Sequence, residues 1–392
     1  MTRRLDRWLL AGALALSVAG FAAVATQSRP ARESADFTFY FAAALLVRDG
    51  NPAGVYDQAT LDTVIQRIAP TSPVDPRLTY NLPLAAAFPV VPLTALPLEF
   101  AFRAWQLASV VLLLAAVLIL QRIFPIGRTG VAMGTLALAA SVPTWAILTE
   151  GQMAPLPVLG ATLMVAMLRL NRPWLAFGGG MLLAVKPHFL PIYLIMLVAA
   201  GRWRGLLAAL SGATLVLLSP LLAGGLGGVA AMLRNIFGTN ALVPVRYTEA
   251  WIGLLAHVVP AQLLTPFSVV LYLVTLTVLA TLALRSARRG GPLPIAVIAV
   301  IGWVGLLASP HALPHDLLIL GPPTWLAFLL VDKGRLPSII PALFLIDLAL
   351  LIDIRGAGIV LGPLAITAVA LWAGWEFRRR VARQRLQTAA AA

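Results

Sequence analysis

The chain has 392 residues, of which 60% are hydrophobic and 11% charged, with a mean hydropathy of +0.90 and a formal net charge of +14. Repeated, unbroken apolar stretches of bilayer length exclude a water-soluble domain and a transmembrane barrel, whose strands would alternate, and point to a polytopic helical membrane protein. Cysteine is absent and the four histidines fall in no HExxH-like spacing, so disulfides, thiolate chemistry and a tightly held zinc are not expected.

Arg3, Arg4 and Arg7 precede an apolar segment from about Trp8 to Thr26. Ala23-Val24-Ala25 resembles a signal-peptide cleavage site, but the run is long for a signal peptide and is read as an uncleaved first span. Residues 27–99 form the longest stretch without a span. Within it, Phe37 to Arg48 reads as an amphipathic helix stopped by Asp49-Gly50-Asn51-Pro52, and Asp57 as the cap of a second helix ending near Ile68. Tyr80-Asn81-Leu82-Pro83 then opens an apolar, proline-punctuated piece to Pro97, too short and interrupted to span, and so interfacial or re-entrant.

Spans follow at about 100–121, 131–148 and 153–169, with basic linkers around Arg122 to Arg128 and Arg169 to Arg172. Residues 174–200 have basic flanks on both sides, which fits two short helices making a hairpin with Lys186-Pro187-His188 at its tip. Further spans are expected at about 203–223, 262–285, 293–308, 315–331, 338–354 and 358–376. The total of 10–12 membrane segments leaves both termini in the cytoplasm. On this topology 19 of the 29 Lys and Arg share one side with only three acids, Asp6, Asp332 and Glu376, while the other side carries 10 against 11 acids. The basic excess is thus a positive-inside signature of a multi-pass plasma-membrane protein and not a nucleic-acid patch. The expected organisation is one integral membrane domain over 1–376, with external loops at 27–99 and 224–261 and a basic cytoplasmic tail at 377–392.

The unusual polar motifs gather on the non-cytoplasmic face: Asp36, Gly151-Gln152, Lys186-Pro187-His188, Arg246, and Ser309-Pro310-His311 through Pro314-His315-Asp316. Each has a plain structural reading. Asp36 could cap the helix after it, Lys186 could snorkel to the interface, and the histidines could belong to a proline turn. Arg103 and Trp105 read as interface anchors. One-sided clustering nevertheless suggests an enzyme on a lipid substrate more than a carrier, which would line a path through both leaflets. A transporter or flippase of lipid-linked sugars is the alternative.

Taken in order, Asp-Phe-x-x-Tyr-x-Ala-Ala from Asp36, the Tyr56-Asp57 and Tyr80 motifs, Gly151-Gln152, Lys186-Pro187-His188 and Ser309 to Asp316 resemble glycosyltransferase family 87. The resemblance implies a GT-C-like all-α membrane enzyme with interfacial helices in its long first external loop. It implies transfer of mannose, or another hexose or pentose, from a polyprenyl-phosphate donor to a glycolipid or glycan acceptor. The positions matching the family's pattern are Asp36 as general base, Lys186 on the donor phosphate, and His315, or alternatively His311, assisting. Tyr40, Tyr80, Gln152 and Asp316 are further cavity candidates.

The chemistry agrees with these residue types. Displacement at an anomeric carbon needs a base for the acceptor hydroxyl, and a carboxylate serves with inversion. The leaving lipid phosphate develops negative charge that Lys186, His188 or Arg246 could stabilise. No metal or other cofactor is expected, because a monophosphate donor does not demand one.

Overall fold

The computed structural model describes residues 2–33, 35–71, 79–125, 127–237, 248–256, 258–288 and 295–322, with Trp325, Leu364, Thr367, Ala368 and Leu371 beyond them. Arg246, the spans read at 338–354 and 358–376, and the tail 377–392 lie outside the described residues, apart from those isolated positions. What is described is helical throughout, and the protein is an all-α polytopic membrane protein. Among the described residues three helical stretches are long and apolar enough to cross a bilayer: Leu98–Ile123, Trp203–Ala223 and Gln262–Arg285.

The chain begins with α1 (Thr2–Ala25) and a short α2 (Arg29–Glu33). Helix α3 (Asp36–Arg48) follows at once. It was expected to be amphipathic and to lie in the membrane interface; instead nine of its 13 residues are buried. Phe37, Phe41, Ala42–Ala44, Leu45 and Leu46 run around the whole circumference, and a helix apolar on every side is driven into protein rather than onto a surface. Phe37 packs edge-on against Phe102 at 5.4 Å and beside Trp105 at 6.2 Å.

Local signals explain the pieces that follow. The Asn51 side chain accepts from the Gly54 N–H at 3.2 Å, starting a 3₁₀ turn over Pro52–Tyr56. The Asp57 carboxylate accepts from the Thr60 N–H at 3.0 Å and caps α4 (Gln58–Ile68), as its sequence position suggests. Residues Leu84–Ala95 form a 3₁₀ helix that includes Pro89 and Pro92 and packs along α3.

Helix α5 (Leu98–Ile123) is the first of the long apolar helices. The span read as one piece at 131–148 is two helices, α6 (Gly127–Ala140) and α7 (Val142–Glu150). The break comes at Ser141, whose hydroxyl accepts from the Thr144 N–H at 3.3 Å, and Pro143 sits where its missing N–H costs nothing. Gly151 ends α7 in the left-handed region at φ 61° and returns its N–H to Ile147.

Helices α8 (Pro155–Leu170) and α9 (Pro173–Leu183) pack on each other, and a 3₁₀ turn at Pro187–Phe189 leads into α10 (Leu190–Ala199). The expected hairpin is not formed: Lys186-Pro187-His188 does separate two short helices, but α9, closed by its glycines onto its neighbours, packs on α8 and Trp203–Leu217, whereas α10 packs on Ala261–Arg288 and Ile295–Leu307. Close packing of α8 on α9 rests on small residues. A methyl group on Gly160 would lie 2.9 Å from the Gly179 carbonyl oxygen, and one on Gly179 3.0 Å from that of Gly160. The remaining described helices are α11 (Trp203–Leu217), α12 (Leu226–Phe237), α13 (Trp251–Leu255), α14 (Ala261–Arg288) and α15 (Ile295–Leu307), and a 3₁₀ segment at Pro314–Leu320. Two apolar clusters result, one around α3 and the 84–95 segment, the other around α8–α10 and α15. Val185 belongs to the first and Phe189 to the second, so the turn that carries Lys186 lies where they meet.

Candidate active site

Asp36 is the first residue of α3, and the residue capping that helix is Ala35, with no side-chain bond. The helix-cap reading of Asp36 is thereby corrected. Its carboxylate is turned to another part of the chain, where the Gln152 amide donates to Oδ2. The same Gln152 accepts from the Tyr40 hydroxyl at 3.2 Å through Oε1, one turn further along α3. Trp105 donates to the Gln152 carbonyl at 3.3 Å and is 3% exposed, so it is a buried brace and not the interface anchor its sequence suggested. Arg103 reaches the carbonyls of Val24 and Ala25 at 3.0 and 3.1 Å, tying α1 to α5.

Gly151 explains how Gln152 gets there. A Cβ at that position would stand 2.5 Å from Phe37 Cβ and 2.9 Å from Phe102 Cε2. Only glycine lets the end of α7 sit against the start of α3 while taking a positive φ.

A second constellation is made by distant segments. Lys186 Nζ lies 2.5 Å from Asp316 Oδ1 and 3.1 Å from His315 Nε2. The two ion-pair side chains are 8% and 0% exposed. Asp316 Oδ2 also accepts from the Leu313 N–H at 3.1 Å, which holds the start of the 3₁₀ turn. With Lys186 donating, His315 Nε2 is the lone-pair nitrogen and its proton sits on Nδ1. The rings of His188 and His311 meet edge to face at 6.1 Å, and Tyr272 donates to the His188 carbonyl.

The two constellations feel each other. Burial raises the Asp36 carboxyl above its ordinary value, while the Lys186 charge and the Gln152 amide act to lower it. Asp36, His188 and His311 are only partly buried and keep accessible surface. Among the buried polar atoms that meet no hydrogen-bond partner in the described residues are the Tyr80 hydroxyl and His188 Nε2. Tyr80 is stacked on Phe39 at 6.3 Å. Asp36, Tyr40, Gln152, Lys186, His315 and Asp316 are thus joined by direct bonds or by charge. Among the described residues no group of three or more His, Asp or Glu is arranged to hold a metal ion.

One acidic residue was not picked out from sequence. Glu150 ends α7 next to Gly151, two residues before the Gln152 that holds Asp36. Burial and the neighbouring Asp36 charge push it up to about 7, although the residue remains open to solvent. In sequence it reads as a turn residue; its one signal was its place beside Gly-Gln.

The model of glycosyltransferase family 87 matches residues 80–310, which takes in Tyr80, Gln152, Lys186 and His188 and stops short of Asp36 on one side and His311 on the other. No curated protein and no solved structure matches the chain.

Proposed function

The chain belongs to glycosyltransferase family 87, and on that premise we propose that this membrane glycosyltransferase moves a sugar from a polyprenyl-phosphate donor to a lipid or polysaccharide acceptor. Transfer takes place on the non-cytoplasmic face of a bacterial plasma membrane, in a GT-C-like scaffold, with inversion. The sugar is mannose or another hexose or pentose. The observation that carries this reading is the placing of the Asp36 carboxylate, which is held by Gln152, sensed by Lys186 and still accessible.

Asp36 takes the acceptor hydroxyl proton as the acceptor oxygen bonds to the anomeric carbon. The bond from that carbon to the phosphate oxygen breaks, and its electrons leave with the lipid phosphate. The burial that raises Asp36 makes it a stronger base than a carboxylate in water. Lys186 has three N–H donors; Asp316 and His315 take two, which leaves one for a donor phosphate oxygen. His315 acts through Lys186, by accepting from it and fixing its direction. The Tyr80 hydroxyl and His188 Nε2 suit a sugar hydroxyl and a phosphate oxygen, since polar atoms buried without partners cost about 1–3 kcal/mol each.

The test uses the purified full-length enzyme with radiolabelled polyprenyl-phosphate mannose and a bacterial lipid extract. Wild type transfers label to extractable product and Asp36→Asn loses transfer while remaining folded. Transfer surviving in Asp36→Asn would sink the base assignment.

A further inference from the structure

Helix α12, the Pro52–Tyr56 turn and the 3₁₀ turn at Ser219–Ala223 pack on one another and enclose a cleft of about 310 Å³. That volume is at the small end of ligand clefts, which run from about 300 to 1,000 Å³. Gly227, Ala231 and Arg234 line it from α12, spaced four and three residues apart and so on one face of the helix. A methyl group on Gly227 would meet no atom within 4 Å, so the space over it is open. Tyr56 and Asp57 line the cleft from the turn. Oδ2 of Asp57 takes both bonds from Thr60, and its Oδ1 takes none among the described residues. Among the described residues Arg234 joins no ion pair.

The cleft lies at one end of a helix long enough to cross a bilayer. Ala223, the last residue of Trp203–Ala223, lines it, and the nearby Leu222 and Leu226 are 66% and 81% exposed. It is separate from Asp36 but braced to it. Tyr56 meets Tyr80 edge-on at 5.9 Å, Tyr80 stacks on Phe39 at 6.3 Å, and Phe39 follows Asp36 by three residues on α3. From α12 the Asn235 amide donates to the Tyr56 and Tyr80 carbonyls at 3.5 and 3.1 Å.

We propose that this cleft is an acceptor subsite, holding a sugar of a glycolipid acceptor while a hydroxyl elsewhere on the same molecule is brought to Asp36. This deepens the transferase reading and rests on it. An unused carboxylate oxygen and an unpaired guanidinium in one small cleft suit a neutral polyol, whose hydroxyls both donate and accept. An anion would gain from Arg234 but be opposed by Asp57, and an apolar tail would cover both charges and satisfy neither. Glycine and alanine on the α12 face let a sugar ring approach the backbone. A glycolipid can reach this level with its tail still in the bilayer. Holding a sugar remote from the reacting hydroxyl supplies binding energy that orients the acceptor.

Equilibrium binding of tritiated octyl glycosides of mannose, glucose and arabinose to the full-length protein in phosphatidylcholine nanodiscs tests the site without any donor. Wild type should bind at least one saturably, above empty nanodiscs. Gly227→Leu fills the open space with a better helix former, Asp57→Asn keeps a helix cap without the charge, and Arg234→Gln removes the cation. Each should weaken binding about tenfold or more with the melting temperature not lowered. No saturable binding by wild type, or wild-type affinity in all three variants, overturns the proposal. Displacement by inorganic phosphate or phosphatidylglycerol, but not by free sugar, marks an anion site and overturns it as well. In the transfer assay the same variants should raise the KM for the lipid acceptor about tenfold and leave the donor KM unchanged; an unchanged acceptor KM refutes the subsite role. A wild type that transfers no label refutes the transferase reading beneath, while the binding titration still decides whether the cleft takes a sugar.

Discussion

Replacing Lys186 by methionine strips the counter-charge from Asp316, a carboxylate with no exposed surface whose other bond is to one backbone N–H. At 2.5 Å and an effective dielectric of about 20, the gross attraction in the pair is about 7 kcal/mol. Much of that offsets the desolvation of both ions, so the net worth of the pair is small, but removing one partner leaves the other's desolvation uncompensated. Breaking a buried pair this way costs about 3–5 kcal/mol. Lys186→Met and Asp316→Asn should each destabilise on that scale, while the double variant, with no buried charge left at the pair, should recover to within about 1–2 kcal/mol of wild type. Unfolding of the purified protein in one fixed detergent, followed by tryptophan fluorescence, measures all four corners of the cycle. Additive effects, with coupling under about 1 kcal/mol, would refute the claim that the two charges hold each other. A second readout bears on the chemistry. Lys186 acts to lower Asp36, so its loss raises the Asp36 carboxyl further and should move the acid limb of any residual transfer to higher pH.

Asp36→Asn should lower transfer by about 10²–10⁴-fold, the range of a lost general base, in the labelled-donor assay. It should also be more thermostable than wild type at neutral pH. Asp36 is raised in the folded state, so its favourable contribution is fully present only below the ordinary carboxyl value and is lost as pH rises through the raised one; the gain should therefore fade on acidification. Gly151→Ala should cost about 1–2 kcal/mol from the left-handed backbone alone, and more from the approach to Phe37, with transfer falling further than stability as Gln152 shifts. Ser141→Ala should cost about 1 kcal/mol in a melt and leave transfer nearly intact, since it removes a cap remote from Asp36.

How far the sequence could be read depends on the range of the interaction involved. Asp57 and the Asp49-Gly50-Asn51-Pro52 stop act within a few residues, and the end of α3 and the start of α4 fall where those signals put them. The Lys186-Pro187 break between α9 and α10 is equally local. Ser141 with Pro143 carried a start signal as well, but an apolar run on both sides hid it. The burial of α3 was readable from its uniform apolar surface and was masked by its place in an external loop. What local pattern could not supply was partnership. Gln152 meets Asp36 across 116 positions and Lys186 meets Asp316 across 130.

Those separations have a consequence for biosynthesis. Lys186 is synthesised 130 residues ahead of the carboxylate that neutralises it, so for that whole interval the nascent protein carries a cation without its partner. The ion pair therefore doubles as a sign that the chain has been made through to the Pro314–Leu320 turn. Chains ending before Asp316 should be cleared by membrane proteases faster than chains ending just after Leu320. A Lys186→Met background should narrow that difference in a pulse-chase experiment, and equal half-lives for the two truncations would remove the idea.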